Sequence, residues 1–267
     1  SADSRQCFKE LDIGVAKPSA AELAAVPHYF INSHSIHDNF SAADYESYAL
    51  EKLSQIFREK DIAVMVGGTG LYIKAFAEGL DAIPAIDEAI KLQVAEGYAA
   101  MGISWLQSEI QQHDPAFYAS GEIRNPHRLI RALEVKLSTG KSITELQSRT
   151  KKTRDFNIVK IGMEMPREKL YSRINDRVDQ MMADGLEIEA LALMPFRELN
   201  ALQTVGYREL FDFFDGKISL DKAVELIKQN TRHYAKRQMT WFKKDEIINW
   251  VNADTPITAE VKRLVKK

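Results

Sequence analysis

The chain has 267 residues, 45% of them hydrophobic, and a formal net charge of -2. That is enough apolar material for one large core or two modest ones, and there is no bulk positive charge to advertise a polyanion, so any case for nucleic acid rests on where the cations sit. Cys7, the one cysteine, excludes an internal disulfide or thiolate-rich zinc site and suits a reducing cytoplasm, and no apolar run approaches the roughly 20 residues that span a bilayer.

The sequence opens abruptly on Ser1-Ala2-Asp3-Ser4-Arg5-Gln6, and residues 1–3 read as the tail of a strand whose body lies upstream. Residues 41–60 predict a helix, with Ala42, Tyr45, Ala49, Leu53 and Ile56 at spacings of three or four behind a Ser41 cap. Residues 62–66 form a short apolar run, read as a strand, entering the turn Gly67-Gly68-Thr69-Gly70, with a helix beyond. Residues 88–101 and 105–112 read as helices. Asn125-Pro126 marks a helix start that Gly140 stops. Residues 158–163 read as a second strand. Helices follow over 168–184, ending at Gly185, and over 220–238, where Leu220, Val224, Ile227, Thr231 and Tyr234 share a face. Short apolar strands between helices predict an α/β class, with a parallel sheet covered on both faces. The core spans 1–85 and 156–267, interrupted by an all-helical insertion at 86–155.

Certain stretches carry chemistry. At the carboxyl end of a parallel strand, Asp3 would face the crevice where open α/β sheets bind ligands. It could accept a proton or hydrogen bond or coordinate magnesium; equally, it could cap a helix. The glycine turn with Thr69, at a helix N-terminus, makes a phosphate site. It is no Walker A loop, since no GKS or GKT follows, and a purely geometric turn is the alternative.

Cations gather in three places. In Arg124-Asn125-Pro126-His127-Arg128-Leu129-Ile130-Arg131, the arginines at 128 and 131 share a face while Leu129 and Leu133 point away. That suits a polyanion, although solvated surface arginines are the commoner use. Lys228, Arg232 and Lys236 form one i,i+4 row, and Gln229, His233 and Arg237 the row beside it. Like charges so placed repel, so their repetition predicts a bound anion. Thr204-Val205-Gly206-Tyr207-Arg208 presents an arginine on a glycine turn. The histidines show no metal-ligand spacing.

Taken together and in order, these stretches resemble the tRNA dimethylallyltransferases, also called tRNA isopentenyltransferases. The resemblance is carried by Asp3-Ser4-Arg5-Gln6, Asp12-Ile13-Gly14-Val15-Ala16-Lys17-Pro18, Val26-Pro27-His28 and Ser41-Ala42-Ala43-Asp44-Tyr45. It continues through Gly67-Gly68-Thr69-Gly70-Leu71-Tyr72, Arg128-Leu129-Ile130-Arg131-Ala132-Leu133-Glu134, Gly185-Leu186, Gly206-Tyr207-Arg208 and Ala235-Lys236-Arg237-Gln238 with Thr240-Trp241-Phe242.

The resemblance implies a P-loop-kinase-like core whose helical insertion embraces a tRNA anticodon stem-loop. It implies transfer of a dimethylallyl group from dimethylallyl diphosphate to N6 of the adenosine 3′ to the anticodon, with Mg2+ and release of pyrophosphate. Asp3 matches the general base, and Thr69, Lys91 and Arg208 match positions at the diphosphate. Asp3 to Gln6, His127 to Arg131 and Thr231 to Gln238 (Thr231, Arg232, His233, Tyr234, Lys236, Arg237 and Gln238) match the segments that contact tRNA.

Departures are specific. The family's P-loop, which holds the diphosphate, is expected upstream of Ser1. Lys91 stands where many members carry arginine, His127 replaces a glutamine, and Val15 replaces a threonine. The same core would serve an adenylate isopentenyltransferase or a P-loop nucleotide kinase, but the two basic helical segments favour a tRNA substrate. The expectation is a cytoplasmic monomer that does not engage membranes.

Overall fold

The computed structural model describes residues 1–148 and 150–265. They form two compact units, Ser1–Glu78 with Arg154–Lys267, and Gly79–Thr153.

In the larger unit, α1 (Ala20–Ala25) and α2 (Ala42–Ile56) precede the glycine turn and α3 (Gly70–Glu78). The Ser41 hydroxyl and Asp44 carboxylate cap α2 reciprocally, satisfying donors that a helix start leaves open. Tyr45 and Leu53, from the predicted apolar face of α2, are buried. Arg154 then ties α2 to α3. Its guanidinium meets Glu46 at 2.9 Å and takes the carbonyls of Ala75 and Phe76 at 3.0 and 2.8 Å, closing the end of α3.

The smaller unit holds α4 (Glu88–His113), α5 (Pro115–Ser120), α6 (Pro126–Thr139) and α7 (Ile143–Leu146). Its core gathers Val94, Leu106, Ile110, Phe117, Leu129, Ala132 and Leu133. The two predicted helices at 88–101 and 105–112 run together as α4, with a break at Gly102, whose φ of 72° is left-handed and suits glycine. In α6, Asn125 caps the N–H groups of His127 and Arg128, Pro126 opens the helix and Gly140 closes it in a left-handed conformation, as the sequence predicts. The unit begins at Gly79 and ends at Thr153, where the sequence places its limits at 86 and 155.

The larger unit resumes with β1 (Ile161–Glu164), α8 (Arg167–Ala183), α9 (Leu186–Leu193), α10 (Tyr207–Phe214), α11 (Leu220–Phe242), β2 (Asn249–Asn252) and α12 (Ile257–Val265). β1 and β2 pair in parallel, from Ile161 opposite Asn249 to Glu164 opposite Asn252. The architecture is therefore mixed helix with a small parallel sheet, and helices outweigh it.

Three strand expectations need correction. Residues 62–66 form no strand. Val64 and Val66 are 79% and 69% exposed, and only the Ala2 N–H, donating to the Val66 carbonyl at 2.6 Å, joins them to the segment at 1–3. An apolar run becomes a strand only where a ladder partner takes its backbone groups. By the same rule residues 1–3 are not strand, and the predicted strand at 158–163 starts later and ends one residue further on, as β1 at Ile161–Glu164, the stretch facing β2.

Candidate active site

The segment carrying Asp3 and the glycine turn lie side by side in the larger unit. The Thr69 N–H donates to the Ala2 carbonyl at 3.1 Å. A Cβ on Gly67 would stand 2.3 Å from the Ala2 carbonyl carbon, so the approach requires glycine there. Across this seam the Ser4 N–H donates to Thr69 Oγ1 at 3.0 Å. The hydroxyl, used as acceptor, keeps its proton for another partner. Asp3 Oδ1 accepts the N–H groups of Arg5 and Gln6 at 2.8 and 3.2 Å. This Asx turn fixes the carboxylate through Oδ1, and Oδ2 takes neither of these bonds. Asp3 and Thr69 are thus brought together through backbone bonds.

The floor beneath them is aromatic and dry. Tyr45 stacks on Tyr72 at 4.3 Å between ring centres, and its hydroxyl donates to the Ser1 carbonyl at 3.0 Å. Burial pushes Tyr72 up to about 12, and the same desolvation pushes the Cys7 thiol up to about 12, so Cys7 packs as a neutral side chain. Burial also lowers Arg5 from its ordinary range; its guanidinium reaches Asn200 Oδ1 at 3.5 Å.

The loop at 12–18 is anchored from three sides. Glu189 collects the N–H groups of Asp12, Ile13 and Gly14 at 3.1, 2.8 and 3.0 Å, and the Tyr207 hydroxyl at 2.6 Å. Burial, then the Glu189 charge, drives the Tyr207 phenol above its usual range, so it stays a donor. Lys17 Nζ holds the Phe8 carbonyl at 2.7 Å and Asn32 at 2.5 Å. Gln6 Nε2, expected at RNA, donates to the carbonyls of Val15 and Ala16 at 3.3 and 3.1 Å.

Arg208 stands exposed on the first turn of α10. The turn before it is held firmly: Gly206 has φ 103°, and its N–H donates to the buried Glu209 carboxylate at 2.8 Å, which Asn230 of α11 also grips at 2.7 Å. Glu189, Glu209 and Asn230 escape a sequence reading because their partners lie between 3 and 177 residues away with no local pattern.

α11 divides its side chains. Lys228 pairs with Asp179 of α8 at 2.5 Å, and Arg232 bonds Asn175 at 2.6 Å and lies over the Tyr171 ring. Those two cations of the basic row therefore have neighbours on α8 that offset their repulsion. Thr231 turns its hydroxyl back to the Ile227 carbonyl at 2.7 Å. His233, Lys236 and Arg237 are exposed, with Arg237 over the Tyr234 ring. Gln238 faces the glycine turn, donating to the Gly68 carbonyl at 2.9 Å.

The smaller unit holds the remaining predicted residues. Lys91 pairs with Glu88 at 2.5 Å, Arg128 with Glu122, and Arg131 with Glu134 at 3.7 Å. His127 is exposed and Ile130 half-buried. Leu129 is wholly buried, so its side chain supports the arginines from within and does not itself meet solvent. Among the described residues no three His, Cys, Asp or Glu side chains gather as a metal site.

A family model described as IPP transferase matches residues 6–245. The chain belongs to the IPP transferase family. A tRNA dimethylallyltransferase of Christiangramia forsetii is 50% identical over 254 residues, spanning 95% of this chain and 84% of that relative. The tRNA dimethylallyltransferase 1 of Bacteroides thetaiotaomicron is 44% identical over 254 residues, spanning 95% and 82%. The solved full-length tRNA isopentenylpyrophosphate transferase from Bacillus halodurans matches with a TM-score of 0.68 and 33% identity, over 99% of this chain and 84% of that one. A eukaryotic dimethylallyltransferase crystallised acting on tRNA shares the fold, with a TM-score of 0.73 at 22% identity, over 99% and 69%. As an IPP transferase the chain is a transferase enzyme. No helix among the described residues is long and apolar enough to cross a membrane.

Proposed function

We propose that this IPP transferase moves a dimethylallyl group from dimethylallyl diphosphate to N6 of the adenosine 3′ to the anticodon of a tRNA. The observation that carries the reading is the Ser4 N–H bond to Thr69 Oγ1, which joins the Asp3 carboxylate to the glycine turn in one rigid seam. The N6 lone pair attacks C1 of the prenyl group, the C1–O bond breaks and its electron pair leaves on pyrophosphate. Asp3 Oδ2 takes the proton from N6, which an adenine amine needs because it is a weak nucleophile. Charge builds on the leaving diphosphate, where the Thr69 hydroxyl and the Arg208 guanidinium supply donors. Lys91, in the smaller unit, is a monodentate cation without the fork an arginine offers.

The exposed cations of α11 and the arginines of α6 serve the RNA backbone, and the base is drawn from its stack to reach Asp3. The parallel β1–β2 pair and the glycine turn opening α3 support a P-loop-kinase-like core. Magnesium, when bound with the diphosphate, would neutralise its charge, and the steps above are those of the chain's own groups. We place this work in the cytoplasm, with tRNA. Neither an adenylate isopentenyltransferase nor a nucleotide kinase is favoured by the relatives' names.

The test is prenyl transfer measured with an anticodon stem-loop and with AMP as competing acceptors. Transfer to the stem-loop with little to AMP is expected. Transfer to AMP alone would overturn the RNA assignment, and phosphoryl transfer from ATP outpacing both would make the protein a kinase.

A further inference from the structure

Tyr234 and Gln238 arise from the sequence as RNA contacts, yet the glycine turn lies along their side of α11. Gln238 Nε2 donates to the Gly68 carbonyl at 2.9 Å and fills the space a side chain there would need, 2.0 Å from an ideal Cβ. Trp241 lies so close to Gly70 that a Cβ would meet its Nε1 at 2.4 Å. The Tyr234 phenol lies beside the Thr69 side chain. Positions 234, 238 and 241, spaced by four and three, fall on one helix face. His233, Lys236 and Arg237 are exposed beside them.

The Gly68–Thr69 peptide is consequently tied at both ends. Its carbonyl is held by Gln238, and its N–H by the Ala2 carbonyl at 3.1 Å. The plane of that peptide sets where the Thr69 side chain leaves the backbone. It also keeps the negative end of the Gly68 carbonyl on α11, so that this oxygen is not left free to turn toward a bound anion. A neutral amide does this without adding a charge of its own.

We propose that Gln238 is a positioning residue for the diphosphate: by holding the Gly68 carbonyl it aims the Thr69 hydroxyl, and it does so without touching RNA. The assignment rests on the reading of Thr69 as a diphosphate donor.

The experiment is calorimetry on the whole chain with inorganic pyrophosphate as the probe, alongside binding of an anticodon stem-loop and steady-state kinetics. Gln238→Met keeps the bulk of the side chain and removes the donor. Gly68→Ala places a methyl where the amide sits, and Gly68 is not among the glycines with left-handed φ, so the backbone tolerates alanine. Each variant is expected to weaken pyrophosphate binding and raise KM for dimethylallyl diphosphate by about tenfold, the value of one hydrogen bond to a charged system. Stem-loop affinity should hold, and the double variant should be no weaker than either single one, because both act on the same bond. Thermal unfolding near that of the parent keeps the comparison about the site.

Unchanged pyrophosphate affinity in Gln238→Met, a loss in stem-loop binding instead, or losses that multiply in the double variant would each overturn the assignment. A parent protein that transfers prenyl groups but fails to bind pyrophosphate would remove the underlying reading of Thr69, a result distinct from failure of Gln238 alone.

Discussion

Two backbone N–H groups occupy Asp3 Oδ1, and in the proposed reaction it is Oδ2 that meets the substrate. That division separates the geometric part of the residue from the chemical part. Asp3→Asn keeps an oxygen for the Asx turn but cannot take a proton, so turnover should fall by about 10²-fold or more with stem-loop affinity intact. Single-turnover rates and stem-loop binding measured on the same variant decide it; equal losses in both would make Asp3 a binding residue. Asp3 and Thr69 stand out in the sequence because each lies in a short pattern that chemistry constrains, and the fold sets them side by side. Glu189 does not, because its three backbone partners lie 175 to 177 residues away and only the folded chain brings them in. Lys17 shows the reverse: a lysine in a suggestive loop that turns inward to Asn32 and the Phe8 carbonyl.

At the scale of elements, α11 shows how far periodicity carries and where it stops. The i,i+4 row of cations was visible, and so was the repulsion along it. Invisible was α8, whose Asp179 and Asn175 engage Lys228 and Arg232. The cations free to meet a polyanion are displaced toward Lys236 and Arg237. Replacing both with alanine should weaken stem-loop binding and flatten its dependence on salt by about two counterions, whereas Arg232→Ala should leave the slope nearly as it was. Titrations across salt concentrations distinguish these; a larger change from Arg232→Ala would return the contact to the inner row. The caps of α2 and α6 were legible for a simple reason: Ser41 with Asp44, and Asn125 with Pro126, satisfy their own helix ends without help from elsewhere. Strands have no such self-sufficiency. Residues 62–66 have the apolar, β-branched content of a strand, but β1 forms where β2 supplies the ladder, and the chain between 161 and 249 gave no hint of that pairing.

Across the whole molecule, the division at Gly79 and Thr153 separates two hydrophobic cores. The proposal assigns RNA contacts to both units and the carboxylate and glycine turn to the larger one alone. A cavity cut into the smaller core should therefore have a local signature. Leu133 is fully buried among Val94, Leu106, Ile110 and Leu129. Truncation to alanine there costs about 2–5 kcal/mol, depending on how well the site collapses. Because cooperative units open separately when each has its own core, hydrogen exchange should quicken across Gly79–Thr153 while amides of α2, α10 and α11 keep their protection. Stem-loop affinity should drop with the smaller unit's order, and pyrophosphate affinity, which the proposal assigns to Thr69 and Arg208 of the larger unit, should hold. If protection is lost evenly from both units, they unfold as one. If pyrophosphate binding collapses along with stem-loop binding, the assignment of the diphosphate to Thr69 and Arg208 of the larger unit fails.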